Sequence, residues 1–354
     1  MIITRTPFRI SFFGGGTDYP AWYREHGGGV LSTSIDKYCY ISCRSWPPFF
    51  EHRYRICYSK IELANALNEI QHPSVRACLG FVQHDNGLEI TYNADLPARA
   101  GLGSSSSFTV GLLNALYGLK GEVVSKQKLS EMAIHIEQDV IGESVGSQDQ
   151  VATSHGGFNL ISFGGENEYR LRKLHISEAR RQELESHLLL FYSGISRYSA
   201  QIAAQKIANI PSNSVQLKQM GAFVSEAANI LLSDADIIGF GKLLHENWIL
   251  KKSLSPQVSN DVLNSIYEKA LMAGATGGKV LGAGGGGFVL IFARPELHGR
   301  IIEALSGYLH VPFSFDHSGT QIIFSSLDDS YDFKKGAAHR NEYVRKQSLC
   351  GHPC

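Results

Sequence analysis

The chain has 354 residues, 43% of them hydrophobic and 19% charged, which fits a soluble globular enzyme with core enough for one large or two ordinary domains. Lys and Arg number 33, as do Asp and Glu, so no basic surplus points to nucleic acid or to an anionic membrane as partner. No apolar run reaches the length of a membrane span, and no signal-peptide core opens the chain. Six cysteines in no dense framework predict reduced thiols and a cytoplasmic protein.

Residues 2–13 read as a strand carrying Arg5 and Arg9, followed by the tight loop Gly14-Gly15-Gly16-Thr17-Asp18-Tyr19-Pro20. Three glycines and an acid at a strand end mark a place where a ligand comes close to the backbone. Asp18 suits sugar hydroxyls as an acceptor; an Asx turn before Pro20 is the alternative. Further strands are expected over 30–35, 37–44 and 55–59, helices over 62–67 and 75–83, and a strand over 88–93.

The stretch from Pro97 to Ser107, Pro-Ala-Arg-Ala-Gly-Leu-Gly-Ser-Ser-Ser-Ser, is too rich in glycine and hydroxyls for helix or strand. Phe108, Leu112, Leu116 and Leu119 then repeat at helical spacing. A glycine-rich loop opening into a helix offers free N–H groups and the positive end of a dipole, where anions bind. Gly101 and Gly103 let the backbone approach a polyphosphate, and the serines suit a hard cation such as Mg²⁺. The plainer alternative is a capped helix with a flexible approach. It is not a Walker A loop, because no Gly-Lys-Ser/Thr follows.

A helix is expected over 129–141, with Leu129, Met132, Ala133, Ile136 and Val140 as its core stripe. Glu137 at the edge of that stripe either reaches for water or holds a cation. Gly142 to Gln150 brings Asp149, a general base or the cap of a short helix. A strand over 158–163, a partner over 170–175, a helix over 178–186 and a strand over 188–192 follow. The polar loop Ser193-Gly194-Ile195-Ser196-Arg197 leads to helices over 214–232, 235–252 and 261–272. Gly282-x-Gly284-x-x-Gly287 is formally a dinucleotide pattern, but a strand, not a helix, follows at 288–293. Close backbone approach explains these glycines instead. A helix over 296–309 and a strand over 321–325 complete the pattern. Cys350, His352 and Cys354 read as a frayed tail rather than a metal site.

Four segments in fixed order resemble the superfamily of galactokinase, homoserine kinase, mevalonate kinase and phosphomevalonate kinase, over most of the chain. Thr6-Pro7-Phe8-Arg9 through Gly14 to Thr17-Asp18-Tyr19 is similar to its first motif. Pro97 to Ser107 is similar to its phosphate loop, Pro-x-x-x-Gly-Leu-Gly-Ser-Ser. Gly146-Ser147-Gln148-Asp149-Gln150 resembles the segment that carries the catalytic aspartate in the galactokinase branch, and Lys279 to Phe288 the third motif. Gly14-Gly15-Gly16 stands where galactokinases have Gly-Glu-His, which removes two sugar-contacting side chains. Arg-Ile-Ser-Phe-x-Gly-Gly-Gly-Thr-Asp, with Gly-Ser-Gln-Asp-Gln and the third motif, resembles the bacterial D-glycero-D-manno-heptose 7-phosphate kinases.

The resemblance implies an α/β plus α+β fold. Residues 1–186 would form an N-terminal domain like the second domain of ribosomal protein S5, residues 187–330 a ferredoxin-like domain, and 331–354 a peripheral tail. It implies ATP and Mg²⁺ as cofactors and a sugar phosphate as the other small-molecule partner. Pro97, Ala100, Gly101, Leu102, Gly103, Ser104, Ser105 and Ser106 would surround the phosphates, with Ser105 and Glu137 on the metal. Asp149 would be the base and Arg9 its basic neighbour. Gly15, Gly16, Thr17, Asp18, Arg197, Gly284 and Gly285 would meet the sugar phosphate. Lys251 or Lys252 would add charge for its phosphate, unless they are ordinary helix-surface lysines. The implied reaction phosphorylates the anomeric hydroxyl to give a 1,7-bisphosphate for GDP-heptose and surface polysaccharide synthesis. The alternatives are another anomeric kinase, such as one for L-fucose, and a non-catalytic sensor. Retention of both Asp149 and Glu137 speaks against the sensor.

Overall fold

The computed structural model describes residues 1–84, 86–165, 168–195 and 199–326. In chain order the elements are β1 (Ile2–Phe13), α1 (Pro20–His26), β2 (Gly28–Ser45), β3 (Tyr54–Cys57), β4 (Ile61–Ala64), α2 (Pro73–Val82), β5 (Leu88–Ala94), α3 (Ser104–Leu119), α4 (Lys126–His135), α5 (Gln148–His155), β6 (Phe158–Phe163), β7 (Tyr169–Lys173), α6 (Glu178–Ser186), β8 (Leu188–Tyr192), α7 (Ser199–Ala208), α8 (Ser214–Leu232), α9 (Ile238–Ser253), α10 (Asp261–Met272), β9 (Gly277–Val280), β10 (Phe288–Phe292), α11 (His298–Ala304), β11 (Leu309–His310), β12 (Phe315–Asp316) and β13 (Gln321–Ser325).

Two sheets organise these elements. The larger has nine strands, ordered β13-β1-β2-β5-β3-β4, with β6, β7 and β12 joining through β2. Helix α3 lies across β1 and β2. It can lie close because Gly111 leaves room: a Cβ there would sit 2.8 Å from the Thr6 hydroxyl of β1. The smaller sheet is antiparallel, ordered β11-β8-β10-β9. Taken in chain order its strands stand 4-1-3-2, the ferredoxin-like arrangement expected for the second half. No described helix is long and apolar enough to cross a membrane.

One aromatic seam ties the sheets together. Phe240 of α9 meets Phe12 and Phe13 of β1 edge-on, with ring centroids 5.4 and 5.1 Å away, and Phe292 of β10 at 6.3 Å. All four rings are fully buried, and burying each is worth about 1.5–3 kcal/mol. The cleft between the halves is therefore framed by a continuous core.

Several expectations need correction. The strands expected over 30–35 and 37–44 are one strand, β2. Its pairing with β1 jumps from Phe8 opposite Ile35 to Pro7 opposite Tyr38, and the extra residues Asp36 and Lys37 form a bulge. The helix expected over 62–67 is strand β4, paired antiparallel to β3. Its burial alternates, and buried Glu62 accepts hydrogen bonds from the Tyr58 hydroxyl and the Gln71 N–H. The helix expected over 296–309 ends at Ala304, and Leu309–His310 pairs with β8. The helix expected over 129–141 relaxes into a π turn at Ile136–Val140. Strands β12 and β13 pair with β2 and β1, so the chain returns to the first sheet after completing the second.

Candidate active site

Between the halves lies a cleft of about 360 Å³ lined from five directions: Arg9 with the turn at Gly15, Gly16 and Asp18; the loop from Arg99 to Ser106; Glu137; Glu143 to Asp149; and Gly282, Ala283, Ala203 and Lys206 from the second half.

Arg9 is the hub. It is 3% exposed, and its Nε and Nη2 donate to the two carboxylate oxygens of Asp149 at 2.7 and 2.6 Å. Its Nη1 donates to the Gly101 carbonyl at 2.7 Å, and its backbone N–H to the Leu102 carbonyl at 3.0 Å. A paired, bidentate guanidinium fixes the orientation of a carboxylate, and each Asp149 oxygen keeps a lone pair for a ligand. Asp149 sits in the first turn of α5 and its side chain is 25% exposed.

The glycine–serine loop is clamped to the third glycine-rich loop. Gly101 and Gly282 both have positive φ, and a Cβ on Gly282 would lie 2.5 Å from the Gly101 Cα. Phe288 donates its N–H to the Ala100 carbonyl at 3.1 Å. The four serines have separate tasks. Ser104 Oγ accepts the Arg99 N–H, Ser105 is exposed in the cleft, Ser106 donates to Glu137 Oε2 at 2.9 Å, and Ser107 donates to the Pro7 and Gly103 carbonyls.

Glu137 lies on the π turn and is 1% exposed. Its Oε2 also accepts from Gln150 Nε2 at 2.6 Å, while buried Oε1 has no hydrogen-bond partner. Burial pushes its pKa up to about 7, against the pull of its hydroxyl and amide donors. No trio of His, Cys, Asp or Glu able to hold a metal exists among the described residues. One unsatisfied carboxylate oxygen beside serine hydroxyls fits a cation whose other ligands come from phosphates and water, which is the habit of Mg²⁺.

Asp18 forms the other end of the cleft. Its Oδ1 accepts the Gly16 N–H and its Oδ2 the Gln148 Nε2, both at 2.8 Å. Burial raises its pKa, backbone donation opposes this, and neighbouring Asp149 raises it further. Gln148 Oε1 is buried without a partner.

The expected site residues do not all face the cavity. Gly15, Gly16, Asp18, Gly101, Gly103, Ser104, Ser105, Ser106, Glu137, Asp149 and Arg9 line it. Thr17 does not: its hydroxyl donates to the Gly14 and Gly29 carbonyls and holds the turn. Pro97 is exposed outside the cleft, and the side chains of Ala100 and Leu102 are in the core. Gly284 and Gly285 pack instead on the segment around Val258, and their neighbours Gly282 and Ala283 take the lining positions. Lys251 is buried and donates to the Val280 and Gly282 carbonyls at 2.7 and 2.6 Å, so it props the third loop from behind. Arg197 and residues 331–354 lie outside the described residues.

Sequence reasoning missed Lys206. It lies on the buried face of α7, one turn after Ile202 and Ala203. A lysine within an apolar helical stripe was the available signal.

Known proteins resemble this chain in sequence and in fold. Residues 63–157 match the GHMP kinases N terminal domain, and residues 228–310 the GHMP kinases C terminal domain. The chain is 29% identical to D-glycero-alpha-D-manno-heptose 7-phosphate kinase of Campylobacter jejuni over 90% of its own length and 98% of that protein's. It is 26% identical to the bifunctional fucokinase/GDP-fucose pyrophosphorylase of Arabidopsis thaliana over 84% of its length, spanning 31% of that longer protein. The fold superposes on a crystal structure of a D-glycero-D-manno-heptose 1-phosphate kinase from Bacteroides thetaiotaomicron with a TM-score of 0.73, at 23% identity over 92% of this chain and all (100%) of that one.

Proposed function

The chain belongs to the GHMP kinases, and we propose that it carries the γ-phosphoryl group of ATP to the anomeric hydroxyl of D-glycero-D-manno-heptose 7-phosphate, giving the 1,7-bisphosphate. One arrangement supports this reading: the glycine–serine loop, the Arg9–Asp149 pair and the Asp18 turn line a single cleft. The heptose is chosen because the Campylobacter relative matches almost end to end.

In this reading the N–H groups at the start of α3 face the nucleotide's phosphates. Asp149 accepts the proton of the anomeric hydroxyl as the O1–Pγ bond forms, the bond from Pγ to the bridging oxygen breaks, and ADP leaves. Arg9 holds Asp149 in place and adds positive charge beside the phosphoryl group in transfer. Asp18, fixed by Gly16 and Gln148, accepts hydrogen bonds from sugar hydroxyls. Glu137, Ser105 and Ser106 would hold Mg²⁺. Bound there, the ion would neutralise phosphate charge.

A second reading, an L-fucose kinase, is favoured by the fucokinase relatives in Arabidopsis thaliana and Bacteroides fragilis, at 26% and 24% identity. Incubation with ATP and each sugar or sugar phosphate, followed by ³¹P NMR of the product, separates the two. A new anomeric phosphate resonance from heptose 7-phosphate is expected. Turnover of L-fucose without turnover of the heptose phosphate would overturn the first reading.

A further inference from the structure

Three lysines lie buried behind or beside the cleft, and two of them are committed. Lys251 donates to the carbonyls of Val280 and Gly282, and Lys279 to those of Ser11 and Phe12 at 2.8 and 2.6 Å. The third, Lys206, lines the cavity itself. It is 6% exposed, and no described residue accepts a hydrogen bond from its ammonium. Its ammonium lies over the Tyr19 ring, with Nζ 5.7 Å from the centroid. Asp18 attracts it through space, but the Asp18 oxygens accept from Gly16 and Gln148 and make no hydrogen bond to the ammonium. A buried ammonium without acceptors is costly to the fold, and an anion arriving in the cleft removes that cost.

The position of Lys206 indicates which anion. It stands with Gly16 and Tyr19, where a second small crevice also opens, and within electrostatic reach of Asp18, in the turn assigned above to the acceptor sugar. The glycine–serine loop and Glu137, assigned above to the nucleotide and its metal, do not line that crevice. We infer that Lys206 binds a phosphate group carried by the acceptor sugar, and so selects phosphorylated over plain sugars. This deepens the kinase reading and rests on it.

The test measures kcat/KM for paired acceptors with and without a terminal phosphate: heptose and heptose 7-phosphate, mannose and mannose 6-phosphate. Wild type is compared with Lys206→Met and Lys206→Arg. Methionine replaces the buried charge with a similar apolar volume, so the Met variant should melt no lower than wild type. Its preference for the phosphorylated member of each pair should fall ten- to hundredfold, the worth of a charge-assisted hydrogen bond. The loss should appear in KM for the phosphorylated acceptor, not in KM for ATP, and Lys206→Arg should recover much of it. Equal losses on both members, or a raised KM for ATP, would assign Lys206 to packing or to the nucleotide and overturn the inference. A wild-type enzyme that prefers phosphorylated sugars but keeps that preference in Lys206→Met would overturn the inference and leave the proposed function standing. A wild-type enzyme that prefers plain sugars would overturn both and leave only the kinase assignment.

Discussion

Arg9 and Asp149, 140 positions apart in the chain, meet in a two-point ion pair with contacts of 2.7 and 2.6 Å. The arginine is almost completely buried and the aspartate is a quarter exposed, so the pair presents its acidic member to the cleft. Asp149→Asn should lower kcat by about 10²–10⁴, the range for a general base, with ATP affinity within a few-fold of wild type. It should also lower stability by about 1–3 kcal/mol, because it strips the counter-charge from a buried guanidinium. The double variant Arg9→Met with Asp149→Asn should regain part of that stability and none of the turnover. Kinetics, nucleotide titration and thermal melts of wild type and the two variants check this, and a fully active Asp149→Asn would remove the residue from the chemistry.

Glu137 should separate metal binding from folding. Its Oε1 is buried and unpartnered, and burial pushes its pKa up to about 7. Glu137→Gln keeps an oxygen for Ser106 and Gln150 and removes the buried charge, so thermal stability without nucleotide should hold or rise. The Mg²⁺ concentration giving half-maximal rate at fixed ATP should rise at least about tenfold, given the ligand's share in such sites. An unchanged Mg²⁺ requirement together with a lower melting temperature would make Glu137 a structural residue.

The clamp between Gly101 and Gly282 should fail if a methyl group is inserted. In Gly282→Ala the new Cβ would lie 2.5 Å from the Gly101 Cα, on a backbone with φ of +67°. A loss of about 1–3 kcal/mol is expected, with a raised KM for ATP as the phosphate loop shifts. Gly121→Ala is the control: its φ is +74°, but nothing lies within 4 Å of the added atom. It should cost less, from backbone strain alone, and leave KM unchanged. Equal effects in the two variants would show that the contact between the loops contributes nothing.

What was legible in the sequence follows from where each signal resides. The loop into α3 could be read because glycines, serines and a helical repeat lie side by side. Strand β4 was misread because its alternation has meaning only once β3 lies beside it and Glu62 finds Tyr58 and Gln71. Motif residues were found as groups, but which members face the cavity is a tertiary fact. Thr17 turned inward to the Gly14 and Gly29 carbonyls, and Gly284 and Gly285 packed on Val258. Ser106 rather than Ser105 bonds to Glu137, because neighbouring helix residues point about 100° apart and only one of the two hydroxyls faces the π turn. Lys206 carries no motif, and its importance comes only from the Asp18 turn packed against it.

The alkaline side of the pH profile should report on Lys206. Burial lowers its pKa from the usual lysine value to about 8, with Asp18 pulling the other way; Lys251 and Lys279 lie within electrostatic reach of it, and Arg9 and Asp149 line the same cleft. The charged form is the one that binds an anion, and it is lost as pH rises through that value in the free enzyme. The kcat/KM for a phosphorylated acceptor, which follows free-enzyme ionisations, should therefore fall above about pH 8. For the same sugar without its phosphate the fall should be shallower. Lys206→Arg stays charged throughout this range, so its profile should remain flat to higher pH, whereas Lys206→Met should be low and lack the limb. If the limb has the same midpoint in wild type and Lys206→Arg, another group titrates there and the charge on Lys206 does not govern acceptor binding.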